Sequence, residues 1–173
     1  MKKKSSKYKK NSLYIVKTSK IHGKGVYAKK DIPKGIKVIE YVGNIVSRKE
    51  GDRIAEEQYS KSEKTGAGSV YIFELNKKQD VDGNVSWNPA RYINHSCDPN
   101  CRYKRIDNHI WIVSFRDIKK GEELSYDYGY DLEEYKNHPC KCNSKNCLGY
   151  IIGRRYWKKF KRLSEEESKN RKR

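Results

Sequence analysis

Three of the chain's five cysteines stand close together near its C-terminus, as Cys140-Lys141-Cys142 and Cys147, and this spacing constrains the fold more than any other feature. Thiolates so near one another can serve a single tetrahedral Zn²⁺, but a closed structural site needs four ligands. The fourth must come from Cys97 or Cys101, far upstream, or from a histidine such as His138. If a cysteine supplies it, one of the five is left over. A metal there would clamp a Gly- and Lys-rich stretch that cannot build its own core, and a fourth ligand from Cys97 or Cys101 would also tie it to a distant segment. The plainer reading is buried or reactive free thiols. Disulfides are not expected: Met1 to Ser6 is positive but lacks the apolar run of a secretory signal, which points to a reducing compartment.

The rest of the chain reads as short β-segments between turns. Ser12–Val16, Val26–Ala28, Tyr71–Leu75 and Ile110–Phe115 predict strands, and Lys37–Val46, broken by Gly43, predicts one bent strand or two short ones. Ser47–Lys61 predicts a polar helix with Ser47 as N-cap and Glu50 at the capping-box position, followed by a polar loop over Ser62–Gly68. Two Asp-Ile-x-Lys-Gly turns, Asp31–Gly35 and Asp117–Gly121, each separate two strands and hint at two similar units. Ile152, Tyr156, Phe160 and Leu163 recur at helical spacing, predicting a terminal helix that packs this stripe on the domain. The whole argues for one mostly-β domain with short helices, and no run of about 18 apolar residues is available to span a membrane.

Charge is concentrated at the ends. The chain carries a formal +18; Met1–Lys10 holds +6 and Gly153–Arg173 holds +7, leaving +5 for the middle. The first ten residues offer almost nothing to bury and are expected to be disordered. Basic tails favour a polyanionic partner, nucleic acid or an acidic surface, although solvated lysines also serve solubility or targeting.

Three segments carry functional groups. Gly23-Lys24-Gly25-Val26-Tyr27-Ala28 fits the G-x-G-x-x-A fingerprint of dinucleotide folds, but Pro33 and Gly35 arrive where the required helix should run. What remains is a turn whose glycines allow close backbone approach, or a plain hairpin. Arg91 to Cys101 is dense in polar groups around Asp98-Pro99, and an Asn94-His95 pair there often just hydrogen-bonds structure. Tyr126, Tyr128 and Tyr130 alternate, so on a strand their rings share one face, as core, stacking platform or channel lining.

Taken together and in order, Gly23 to Tyr27, Glu40-Tyr41-Val42-Gly43, Arg91 to Cys101, Glu123 to Tyr128 and the Cys140–Cys147 cluster resemble the SET-domain protein lysine methyltransferases with a post-SET motif. The closest flavour is trithorax-like, and the short chain also resembles stand-alone bacterial and viral members. The resemblance implies a SET fold of small twisted sheets with a knot-like core. It divides the chain into a basic tail (1–10), a SET domain (11–131), a post-SET zinc segment (132–150) and a basic helix and tail (151–173). It implies S-adenosylmethionine bound by Lys24, Gly25, Tyr27, Arg91, Asn94 and His95, with Leu148 on the adenine. It makes Cys97 the fourth zinc ligand beside Cys140, Cys142 and Cys147, leaving Cys101 spare. It makes Tyr128 the catalytic tyrosine, with Tyr41 and Tyr126 in a lysine channel and Tyr130 nearby.

The activity implied is methyl transfer to the ε-amine of a protein lysine, in a histone or another Lys-rich protein, and mainly mono-methylation because Tyr126 stands where the family restricts product number. The expected setting is a monomer at chromatin in a nucleus, or in a bacterial cytoplasm with delivery to a host nucleus. The basic tails would touch DNA or nucleosomes, and Glu133 and Glu134 would offset positive charge near the channel. The rival expectation is a basic chromatin- or nucleic-acid-binding module on the same fold without catalysis.

Overall fold

The computed structural model describes residues 13–65, 70–133 and 135–170. The first twelve residues, residues 66–69 with the last part of the segment read as loop, Glu134 and the last three residues lie outside it. Four small sheets make up the body. Strands β1 (Tyr14–Thr18) and β2 (Lys24–Ala28) form an antiparallel hairpin. β3 (Lys37–Tyr41) and β4 (Asn44–Ser47) are two short strands parted at Gly43, where a Cβ would collide with the Asp82 carbonyl. They lead different sheets: β4 pairs with β6 (Gln79–Asp82), which pairs with β5 (Ile72–Glu74). β3 pairs with β9 (His109–Ser114), which pairs with β8 (Cys101–Ile106). Finally β7 (Asn94–His95) lies parallel to β10 (Ser125–Tyr126), the contact that joins the two polar motifs.

Helix α1 (Arg48–Thr65) begins as expected, with Ser47 Oγ accepting the Glu50 N–H at 3.3 Å. The Glu50 carboxylate turns to Arg53 instead of closing the capping box. The helix also runs four residues into the segment read as loop; its Gly51 and Gln58 meet the β4–β6–β5 sheet at Asp80 and Asp82, and Tyr59 turns to His138. Strands β6 and β8 were not foreseen. β8 joins β9 through Asp107-Asn108, both with positive φ (52° and 57°), the two-residue turn whose twist matches paired strands.

The two Asp-Ile-x-Lys-Gly turns pack against each other by exchange. Ile32 and Ile118 trade backbone hydrogen bonds at 2.8 and 2.9 Å. Asp117 Oδ1 accepts the Lys34 N–H, and Asp31 Oδ1 accepts the Lys120 N–H, both at 2.8 Å. Gly35 N donates to Ser114 O, and Gly121 N donates to Ala28 O. The repeat is therefore a local pseudo-twofold. The core gathers around it: Val26, Ile32, Val38, Ile93, Ile112, Ile118 and Leu124 are essentially inaccessible, with Cys101 among them.

The terminal helix differs from expectation. Helix α2 (Trp157–Asn170) starts after Ile152, which is buried in the body before the helix begins. Phe160 packs edge-on against Tyr135 and Tyr150, but Leu163 is 37% exposed and every residue from Lys161 to Lys169 is exposed. The apolar stripe anchors one turn only.

Candidate active site and metal centre

The cysteine cluster closes as the metal reading requires. Sγ atoms of Cys97, Cys140, Cys142 and Cys147 all lie within 4.8 Å of one another, a set that could hold a metal ion. Cys97 Sγ is 3.9 Å from Cys140 Sγ, and a hydrogen bond from Cys140 is the main force holding the Cys97 thiol below its ordinary range, with His95 adding to it. The same contact with Cys97 raises the Cys140 thiol. Cys101, spare in the count, is buried elsewhere in the core, and burial pushes it up to about 12. His138 takes no part; its ring packs on Tyr130 (4.7 Å) and Tyr59 (5.7 Å).

His95 bridges this cluster to the tyrosines. Its Nε2 is 3.6 Å from Cys97 Sγ, and its Nδ1 accepts the Tyr128 N–H at 3.2 Å. A nitrogen that accepts is unprotonated, so the neutral ring carries its proton on Nε2, aimed at the sulfur. Asp127 secures the following turn, with Oδ1 accepting from Gly129 N and Oδ2 from Arg154 N. Its carboxylate is thereby committed to backbone, 3.9 Å from His95 Nδ1.

Tyr126, Tyr128 and Tyr130 form a continuous wall, with centroids 4.9 and 5.9 Å apart, although only Ser125–Tyr126 is regular strand. Tyr41 meets it through Phe73, at 4.5 Å from Tyr41 and 5.9 Å from Tyr126. These rings line a cavity of about 860 Å³. The Tyr41 hydroxyl donates to Tyr71 O and the Tyr128 hydroxyl to Ile93 O, both at 3.0 Å. Burial raises the pKa of Tyr41, Tyr126 and Tyr128 well above the ordinary phenol value, and that of Tyr130 to about 12, so the wall stays uncharged at neutral pH.

The G-x-G turn and the Asn-His pair also meet, through a residue the sequence reading did not single out. Glu123 Oε1 accepts from Ser19 Oγ (2.7 Å) and Asn94 Nδ2 (2.8 Å), and Oε2 accepts from the Tyr27 hydroxyl (2.7 Å). A Cβ on Gly25 would collide with the same carboxylate. Asn94 Nδ2 also reaches the Lys24 carbonyl at 3.1 Å. Next to this network, Lys24 Nζ and the Arg91 guanidinium both lie over the Tyr92 ring, and Arg91 also over Tyr71. Arg91 Nε is buried without a hydrogen-bond partner. Two cations on one ring, one with an orphaned donor, fit an anionic group of a ligand. Leu148 is half-buried, its N–H bonded to the Cys97 sulfur.

Phe73 was likewise missed, although it stands inside a strand that the alternation revealed. Glu133 does not line the cavity, and Glu134 is not described; the carboxylates that do are Glu74 and Asp127.

Residues 23–129 match the family model described as SET domain. The chain belongs to the SET-domain family. Among relatives of this SET domain, Histone-lysine N-methyltransferase trr of Drosophila melanogaster is 42% identical over 159 residues, which is 86% of this chain and 6% of that protein. Histone-lysine N-methyltransferase 2D of Homo sapiens is 39% identical over 159 residues, 86% of this chain and 3% of that protein. Histone-lysine N-methyltransferase trithorax of Drosophila virilis is 42% identical over 137 residues, 77% of this chain and 3% of that protein. This SET domain thus spans a small part of each relative's length. No described helix is long and apolar enough to cross a membrane.

Proposed function

We propose that this SET domain methylates the ε-amine of protein lysine, in a histone by preference, with S-adenosylmethionine as donor and mainly one methyl per lysine. The observation that carries the reading is the uncharged aromatic wall of Tyr41, Phe73, Tyr126 and Tyr128 around one cavity. Bound S-adenosylmethionine supplies an electrophilic methyl on a sulfonium. The chain's part is to present a neutral amine in line with it. Free lysine has a pKa near 10.4, so deprotonation at pH 7 costs about 4.6 kcal/mol. The carboxylates that line the cavity among the described residues, Glu74 and Asp127, are taken up by arginines and backbone N–H groups, and an aromatic channel lowers that cost by desolvating the ammonium. The ring faces attract the cation before it loses its proton. Tyr128, held at both its N–H and its hydroxyl, is the group that orients amine and donor.

Lys24 and Arg91 would hold the anionic end of the donor, with Gly25, Tyr27, Asn94 and His95 shaping the turn around it and Leu148 covering the adenine. Zn²⁺ would occupy Cys97, Cys140, Cys142 and Cys147 as a closed structural site, fixing the post-SET segment and doing no chemistry on the substrate. The same reading puts a monomer at chromatin, its basic ends on nucleosomal DNA, with the division at 1–10, 11–131, 132–150 and 151–173.

The test is incubation of the full chain with methyl-labelled donor and whole histones, mapping label by mass spectrometry. Label on lysine is expected. Binding of DNA without any transfer to histones or other basic proteins would favour the rival, a chromatin-binding module.

A further inference from the structure

We propose that Gln58 and Tyr59, successive residues of α1, are positioning residues that fix the separation of two sets of rings lining the tyrosine cavity. Gln58 acts through Tyr71, and Tyr59 acts through His138. The inference rests on the lysine-methyltransferase reading and gives that site a brace outside its motifs. Successive side chains on a helix point about 100° apart, so two of them can grip different walls. Gln58 Oε1 accepts the Tyr71 N–H at 2.7 Å, and the Tyr71 carbonyl accepts the Tyr41 hydroxyl at 3.0 Å. The Tyr59 ring meets His138 edge-on at 5.7 Å, and its hydroxyl accepts from Asn137 Nδ2 at 3.2 Å. His138 in turn packs on Tyr130 at 4.7 Å, and Tyr130 on Tyr128 at 5.9 Å. Tyr41, Tyr71, Tyr128 and Tyr130 line the cavity; Gln58, Tyr59 and His138 do not, so they reach it only through these neighbours.

The two sets of rings belong to segments far apart in the chain. Tyr41 ends β3 and Tyr71 precedes β5, whereas Tyr128 and Tyr130 follow β10. His138 belongs to the C-terminal segment, which holds it in place: its carbonyl accepts the Ile151 N–H at 2.8 Å, and Pro139 bridges to Tyr150. Gly51 is the one fully buried residue among the described side chains of α1, so apolar burial does little to fix where the helix lies. Its polar and aromatic contacts at Gln58 and Tyr59 therefore decide where its third turn sits. Methyl transfer needs nitrogen, methyl and sulfur in line, and a misplacement of about 1 Å can cost on the order of 10²-fold in rate. A brace on the rings thus acts both on rate and on how large an acceptor amine fits between them.

The experiment uses the full chain, labelled donor and two histone peptides that differ only in carrying unmodified or mono-methylated lysine at the accepting position. The readout is the ratio of the two rates, because a loss of folded protein lowers both alike and leaves the ratio unchanged. Tyr59→Leu and Gln58→Leu are each expected to raise the rate on mono-methyl lysine relative to unmodified lysine by about threefold or more, since slack rings admit the bulkier amine and align the smaller one less well. Tyr59→Phe, which keeps the ring against His138, should restore the unmutated ratio. His138→Leu leaves the sequence of α1 intact and should repeat the Tyr59→Leu shift; the double variant should add nothing, because both changes break one line of contact. An unchanged ratio in these Leu variants, with both rates falling only as the thermal midpoint falls, would reduce the residues to structural support and overturn the inference while leaving lysine methylation standing. Additive shifts in the double variant, or a shift in only one of Gln58→Leu and Tyr59→Leu, would also overturn it. No transfer to either peptide or to whole histones by the unmutated chain would remove the methyltransferase reading and this inference together.

Discussion

At the residue scale, the chemistry depends on which groups are already occupied. Tyr128 has its N–H on His95 and its hydroxyl on Ile93 O, so its ring has little freedom. Tyr126 is buried more deeply, between Phe73 and Tyr128, and burial raises its pKa well above 10, so its hydroxyl stays neutral. A neutral hydroxyl there, with any water it orders, takes volume that further methyl groups need. If the proposed function holds, the unmutated chain gives mono-methyl lysine, and Tyr126→Phe a larger share of di- and trimethyl product, read by mass spectrometry of one peptide. Abundant trimethyl product from the unmutated chain would refute the assignment. The identities of Asn94 and His95 were legible from the motif, but the work of their side chains was not. Asn94 spends its amide on Glu123 and the G-x-G turn, and His95 spends its ring on Cys97 and Tyr128. Motif spacing names residues near a ligand without distinguishing those that touch it from those that hold the wall behind it.

At the scale of elements, the sequence was most readable where side chains alternate or turn chemistry is local. β3 and β4 part at the glycine that marked them, and Ser47 caps α1. β8 escaped because four of its six residues are exposed and charged or polar, so no alternation betrays it; the Asp107-Asn108 turn was the available signal. The twin turns were visible as a repeat, yet similarity of two segments does not say that they are partners. Their pairing is a property of the fold. Because Ile32 and Ile118 hold equivalent, fully buried places in that exchange, each truncation to Ala should lower unfolding free energy by about 2–5 kcal/mol. Urea melts of the two variants measure this. A loss well below 1 kcal/mol in either one, or widely unequal losses, would deny the equivalence.

At the scale of the whole molecule, one contact set joins the C-terminal segment to the catalytic wall. Cys140, Cys142 and Cys147 meet Cys97, Cys97 meets His95, and His95 holds Tyr128, whose catalytic part is a proposal. A metal on the four sulfurs would stabilise that chain of contacts as well as the segment itself. Chelation is expected to lower the thermal midpoint and methyl transfer together, with Zn²⁺ restoring both; Cys97→Ser should bind less than one Zn²⁺ per chain. Full activity and an unchanged midpoint after verified metal removal would contradict this. Charge works at the same scale. The +18 total is shared between residues at the ends and a body whose cavity is itself lined by five arginines. The central claim remains that an uncharged tyrosine channel on this SET domain transfers methyl to lysine. Its most direct test is single-turnover transfer of labelled methyl from S-adenosylmethionine to histone lysine, comparing the unmutated chain with Tyr128→Phe. Label on lysine is expected, with a large loss of rate in a variant that still folds and binds donor; no transfer by the unmutated chain, or equal rates in the two, would contradict lysine methylation through Tyr128.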